Sequence, residues 1–231
     1  MSTMLMQNAR TLSATHPAKP LDRWAPEPHG IDISALDTLG VRMSYARNAE
    51  IFGEGEPTHY VFKVVAGAAR TYKVLDDGRR QISAFYLPGE VFGLEATDTH
   101  HCSAESVGRS IFLVIKRTAL LSLARTDHQT THLMWRLTAH ELERVQTHML
   151  VLIRSAQERV ACFLLEMAER MGTGDVVELP MSRQDIADYL GLTIETISRT
   201  LTQLEGNGAI AVPTCRRIVL CDRAALKRLH A

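Results

Sequence analysis

A chain of 231 residues, 45 % hydrophobic and 23 % charged, has material for one large or two small globular domains, a composition outside the disordered and fibrous classes. Its 26 basic residues balance 26 acidic ones, so no net field draws the whole chain to nucleic acid or to an anionic surface. No apolar run approaches the roughly 20 residues that span a bilayer, and the N-terminus lacks the apolar stretch of a signal peptide; a cytoplasmic protein without a membrane partner is expected.

Residues 1–30 are rich in Pro, Ser, Thr and Ala and read as a tail. A roll-like domain is expected over 31–125. Its first segment, 36–43, reads as a short helix. Short β-like runs follow at 49–52, 60–66, 68–75, 81–87, 104–107 and 110–115, separated by the Gly-containing turns GEGE, DDG and PGE. Several short strands at close spacing predict a small antiparallel barrel or roll.

The period then becomes helical. Trp135, Thr138, Leu142, Val145, Met149 and Leu152 are spaced 3, 4, 3, 4 and 3, the seam of a helix that packs on a second copy. A dimerisation helix over 126–154 is expected, with Trp135, Leu142, Val145, Met149 and Leu152 at the interface. Ser155 and Glu158 then form an S-x-x-E capping box, Val160, Phe163, Leu164 and Met167 an apolar face, and Gly172 and Gly174 a stop.

Residues 182–206, SRQDIADYLGLTIETISRTLTQLEG, read as two short amphipathic helices joined at a glycine. Ser182 caps the first, with Asp185 reaching back. Gly191 gives the turn its positive φ, and Thr193 caps the second helix. Ile197, Leu201 and Leu204 fall on one inward stripe, which leaves Glu195, Thr196, Ser198, Arg199 and Gln203 outside. This is the pattern of a DNA-binding helix-turn-helix, and the segment AIAV-PTCRR-IVLC adds a hairpin, or wing. Arg199 suits guanine O6 and N7, Glu195 the cytosine amino group, and Ser198 a base edge. Gln184, Thr193, Thr196, Arg216 and Arg217 are the candidates for phosphate contacts that set orientation. From 154 onward ten basic residues meet ten acidic ones, so such contacts rely on local placement of charge. A winged helix-turn-helix domain over 155–231 completes an α+β chain.

Catalytic and metal signals do not emerge. G-x-S-x-G, P-loop and H-E-x-x-H motifs are missing, and no enzyme is expected. Cys102, Cys162, Cys215 and Cys221 are scattered without a CxxC pair and read as free thiols. Cys215, beside Arg216 and Arg217, is the redox candidate. The run His100-His101-Cys102 has residue types that ligate haem or a metal, but adjacent side chains on an extended segment point apart and cannot all face one ion, so it reads as a polar surface loop.

From about Ile31 to the C-terminus the order of roll, long helix and winged helix-turn-helix resembles the CRP/FNR superfamily of dimeric bacterial regulators. The recognition helix IETISRTL (194–201), with E-x-x-S-R at Glu195, Ser198 and Arg199, is similar to the FNR/FixK branch. That resemblance implies a homodimer reading a palindrome of TTGAT-like half-sites, RNA polymerase as partner, and activation of genes of microaerobic or anaerobic metabolism. The segment 87–106 is similar to the part of the CRP roll that holds cyclic AMP, but Cys102, before Ser103 and Ala104, stands where CRP-like binders place an arginine. A cyclic phosphate needs that cation. FNR-type oxygen sensors carry an N-terminal cysteine cluster, and residues 1–101 contain no cysteine. Neither cofactor is expected. Two other readings are an effector-gated regulator of the same fold, answering to haem, a nucleotide or redox change, and a signalling module without a DNA target.

Overall fold

The computed structural model describes residues 33–229; the predicted tail of 1–30 lies outside them. The architecture is α+β: a β-roll, a long helix, and a winged helix-turn-helix.

The roll opens with a 3-10 turn (Ser34–Thr38) and β1 (Gly40–Tyr45). The helix expected over 36–43 is therefore a turn and a strand. Leu36, Leu39 and Met43 match helical spacing by coincidence, while Val41, Met43 and Tyr45 carry the alternation of a strand that pairs with β8. Then come β2 (Glu50–Phe52), β3 (Tyr60–Ala66), β4 (Ala69–Val74), β5 (Arg80–Tyr86), β6 (Val91–Phe92), β7 (Ser103–Ser106) and β8 (Ser110–Lys116). They form two four-stranded sheets, β1-β8-β3-β6 and β2-β7-β4-β5. Phe52, Phe62, Phe92, Phe112 and Tyr86 fill the space between them. Gly67, in the β3–β4 turn at φ +82, resists replacement, because a Cβ there would lie 2.8 Å from the Arg109 carbonyl oxygen and 2.8 Å from the Ser110 Cα.

A register shift between β4 and β5 at Thr71/Tyr72 leaves Ser83 without a partner across the pair. Such a bulge re-aims the side chains around it. Ile82 and Phe85, three apart, join the core shared with the C-terminal half, while Ala84 and Tyr86 stay in the roll interior.

Helix α1 (Arg117–Thr126) and helix α2 (His128–Leu152) are separate. The Asp127 carboxylate breaks the chain between them by accepting from the Gln129 and Thr130 amides at 3.2 and 2.9 Å, an N-cap for α2. Leu36, Val61, Leu113, Ile115, Leu120 and Leu133 knit the turn, α1 and the start of α2 to the outer face of the first sheet. Helix α3 (Ala156–Met171) starts with the expected capping box of Ser155 and Glu158 and stops at Gly172 in the left-handed region. Beyond it are β9 (Val176–Glu178), α4 (Arg183–Leu190), α5 (Ile194–Gly206), β10 (Ile210–Ala211), β11 (Arg217–Leu220) and α6 (Arg223–Arg228). The wing is a three-stranded sheet, β10-β11-β9. Among the described residues no helix is long and apolar enough to cross a membrane.

Candidate nucleic-acid interface

The helix-turn-helix is built from its caps inward. The Ser182 hydroxyl accepts from the Asp185 amide at 3.1 Å, and the Asp185 carboxylate accepts from the Ser182 amide at 3.0 Å, so α4 starts where the sequence places it. Gly191 ends it at φ +61, and the Leu192 amide donates back to the Ala187 carbonyl at 3.0 Å. Thr193 caps α5 by accepting from the Thr196 amide at 3.2 Å. Ile197, Leu201 and Leu204 are buried beneath it, against Ile186, Tyr189 and Leu190 of α4.

This packing decides which side chains face outward. Glu195, Arg199 and Gln203 are exposed, and Ser198 and Thr196 are half-buried beside them. Gln184 is exposed and donates to Asp188 at 2.6 Å. The Thr193 and Thr196 hydroxyls lie 3.1 Å apart, so both belong first to the cap. In the wing, Arg216 is exposed and donates to the Pro180 carbonyl at 3.3 Å, while Arg217 lies 3.5 Å from Glu178. Cys215 is exposed at the same tip.

One member of this surface escaped the sequence reading. Arg183 opens α4, and its Nη1 lies 3.4 Å from the Ser198 hydroxyl. A cation in the first turn of a helix faces the positive end of the helix dipole. That misfit was the available signal that its position answers to something other than α4.

Helix α2 leaves exposed most of the apolar stripe that the sequence assigns to a dimer interface. Trp135, Leu142, Val145 and Met149 are exposed, Trp135 to 74 %. Leu152 differs. It is half-buried, close to the Gly191 turn of its own chain. Leu150 and Ile153, the latter 81 % exposed, extend the apolar surface instead, because the helix ends at Leu152 and the chain turns there.

The opposite face of α2 meets both halves of the molecule. Arg144 donates to the Phe85 carbonyl at 3.0 Å and to Glu141 at 2.5 Å, and its guanidinium lies 4.4 Å from the centre of the Tyr86 ring. From α3, Arg170 donates to the same Phe85 carbonyl at 2.6 Å and to Glu90 at 2.8 Å. Burial alone would raise the Glu90 carboxyl; the charge and hydrogen bonds of Arg170, with Arg144 and the Leu87 amide, hold it below the usual carboxylate range. His148 stacks on Tyr189 of α4 at 4.0 Å between ring centroids. Burial, and then the Arg144 charge, push its imidazole down to about 4.

The roll segment resembling a cyclic-nucleotide site does not fit that ligand. Cys102, which the sequence resemblance sets at the cation's position, has its thiol pushed up to about 12 by burial and by Glu95 and Glu54. Lys73, the nearby cation, pairs with Glu54 at 2.8 Å. Glu90 is committed to Arg170. An anionic phosphate would meet carboxylates here. The loop expected to be polar surface is also partly core: His100 is buried, stacked on Phe52 at 3.6 Å, with Nδ1 3.2 Å from Glu95. Among the described residues, no group of three or more His, Cys, Asp or Glu side chains is arranged to hold a metal ion.

Comparison with known proteins agrees with this architecture. Residues 42–127 match the family model of cyclic nucleotide-binding domains, and residues 158–229 that of Crp-like helix-turn-helix domains. The nitrogen fixation regulation protein FixK of Azorhizobium caulinodans is 46 % identical over 229 residues, which cover 94 % of this chain and 92 % of that one. FixK of Rhizobium meliloti is 40 % identical over 209 residues, 88 % of this chain and 96 % of its own. The solved structure of FixK2 from Bradyrhizobium japonicum superposes with a TM-score of 0.80 at 48 % identity, covering 83 % of this chain and 98 % of that one. With a cyclic-nucleotide-type roll, a long helix and a Crp-like winged helix-turn-helix in this order, the chain belongs to the CRP/FNR superfamily of DNA-binding transcriptional regulators, in its FixK-like branch.

Proposed function

We propose that this protein works as a homodimer that binds a TTGAT-N4-ATCAA-like palindrome and, with RNA polymerase as its partner, activates genes of microaerobic or anaerobic metabolism. It does so without an iron–sulfur cluster and without cyclic AMP. The helix of 126–154 joins two copies, the roll of 31–125 supports it, and the part from 155 to 231 reads DNA.

The observation that carries this reading is the outer face of α5. Glu195 and Arg199 stand one helical turn apart, both exposed, with Ser198 beside them on a helix whose start is capped and whose inner face is fully packed. Arg199 can donate a fork to guanine, Glu195 can accept from a cytosine amino group, and Ser198 can meet an adjoining base edge. The exposed seam of α2 supports the dimer. Two-fold symmetry then sets the two recognition helices roughly 34 Å apart along the duplex. The carboxylates around Cys102 support independence from cyclic AMP.

The test is substitution of each base pair in one half-site, with affinity measured at fixed salt. Replacing the G·C pair of TTGAT is expected to cost about 1–3 kcal/mol, and replacing pairs outside the half-sites to cost far less. A flat profile across the half-site would overturn the assignment.

A further inference from the structure

The DNA-reading half is locked to the roll of its own chain through the same carboxylate that starts its first helix. Asp185 Oδ2 serves the cap, accepting from the Ser182 amide at 3.0 Å and the Ser182 hydroxyl at 2.8 Å. Oδ1 faces the roll and accepts from Arg70 Nη1 at 3.0 Å and Arg80 Nη2 at 2.6 Å. Arg80 Nε also donates to Asp188 Oδ2 at 2.8 Å, almost one turn further along α4. Gln81 Nε2 donates to the Tyr189 carbonyl at 3.3 Å.

Arg70 is itself held in place. Its Nη2 donates to Glu105 at 2.5 Å and to Asn48 at 3.3 Å, and the Tyr72 hydroxyl holds Glu105 at 2.7 Å. The Arg70 and Asp185 side chains are only 5 % and 7 % exposed. Around this cluster lies an apolar contact in which Phe85 of β5 meets Tyr189 of α4 at 5.2 Å and Phe163 of α3 at 6.4 Å.

The two kinds of contact do different things. Apolar burial is non-directional and supplies adhesion. Two guanidiniums addressing carboxylates on successive turns of α4 fix rotation and register, the best-attested use of a buried ion pair. Helix α5 follows α4 after the short Gly191 turn and packs on it. Any orientation set at Asp185 and Asp188 is therefore inherited by Glu195, Ser198 and Arg199.

We infer that Arg70 and Arg80 are positioning residues for DNA recognition: the β4–β5 face of each chain sets the angle of that chain's own recognition helix, and so the half-site spacing a dimer accepts. The spacing part rests on the reading of the chain as a palindrome-binding dimer; the clamp itself does not. Neither arginine touches DNA in this scheme.

Arg80→Asp tests it, because the new carboxylate faces Asp185 and Asp188 while leaving Arg70 and its partners in the roll. Adding Asp188→Arg restores an opposite-charge pair. Spin labels on Lys116→Cys and Gln203→Cys, with exposed Cys215 and Cys221 changed to serine, report the distance between roll and recognition helix. Dilution with unlabelled protein isolates pairs within a chain. One narrow distance distribution is expected for the parent, a broad one for Arg80→Asp, and a narrow one again for the double variant. A narrow distribution retained in Arg80→Asp, or no recovery in the double variant, would overturn the clamp.

Affinity for TTGAT palindromes with spacers of three to six base pairs is the second readout. The parent is expected to favour one spacer by about tenfold, a coupling of ordinary size, and Arg80→Asp to compress that preference to about threefold or less. Equal loss at every spacer would mean a merely structural role and would count against the proposal. A parent that selects no TTGAT duplex would overturn the half-site reading, and the distance measurement would still decide the clamp.

Discussion

Arg199 stands exposed on α5, close to Ser198 and one turn from Glu195, and its planar fork matches the acceptor pair on guanine. Arg199→Ala is therefore expected to weaken binding to the intact site by about 1–3 kcal/mol and to relax preference at one G·C pair; a competition assay with single-base variants reads both. His148 makes a different prediction. Its Nε2 is buried without a partner, and its ring stays neutral in the folded chain down to about pH 4. An unfolded chain protonates histidine near pH 6.5. The neutral buried ring thus contributes stability that is complete above about pH 6.5 and lost as pH falls toward 4, with a slope of at most about 1.4 kcal/mol per pH unit. His148→Phe, which keeps a ring on Tyr189, is expected to flatten the fall in Tm between pH 6.5 and 4.5. An unchanged slope would show that other groups set it.

At the scale of elements, α2 leaves an apolar stripe exposed, the proposed dimer face, and turns a charged face to its own chain. Because Leu142 and Met149 are exposed within one chain, Leu142→Glu is expected to leave each chain folded. It should raise the dimer dissociation constant by about a hundredfold, the effect of losing a central anchor. Sedimentation at several concentrations checks this against an unchanged circular dichroism spectrum. Elements with strong local signals were legible in the sequence: α3, α4 and α5 start at Ser155, Ser182 and Thr193 because a hydroxyl or carboxylate there satisfies the first free amides. Strands β6 and β9, two and three residues long, carry too little alternation to be seen. The split between α1 and α2 depends on Asp127, one residue whose capping geometry shows only in three dimensions. Within the recognition surface, Glu195 and Arg199 could be placed outside by periodicity alone. Arg183 beside Ser198 could not, since they are fifteen residues apart.

At the scale of the whole molecule, the halves meet through partners 80 to 115 residues apart, Glu90 with Arg170 and Arg70 with Asp185, and no local pattern announces such pairs. Burial would raise the Asp185 carboxyl, but hydrogen bonds from Ser182 and the charges of Arg70 and Arg80 hold it below its ordinary value. The interface is therefore stabilised above the ordinary carboxylate range and loosens as pH falls below about 4. The net charge of zero leaves DNA attraction to locally placed cations, of which Arg216 is a proposed one. Arg216→Ala is expected to weaken binding equally on all sequences and to reduce the salt slope by about 0.9 for each lost phosphate contact. The most direct measurement is titration of a TTGAT-N4-ATCAA duplex and a scrambled duplex with purified, ligand-free protein at one salt concentration, with the mass of the complex determined. Two chains per duplex and an affinity at least about a thousandfold above the scrambled control are the predicted result; one chain per duplex, or equal affinity for both duplexes, would contradict an effector-free palindrome-reading dimer.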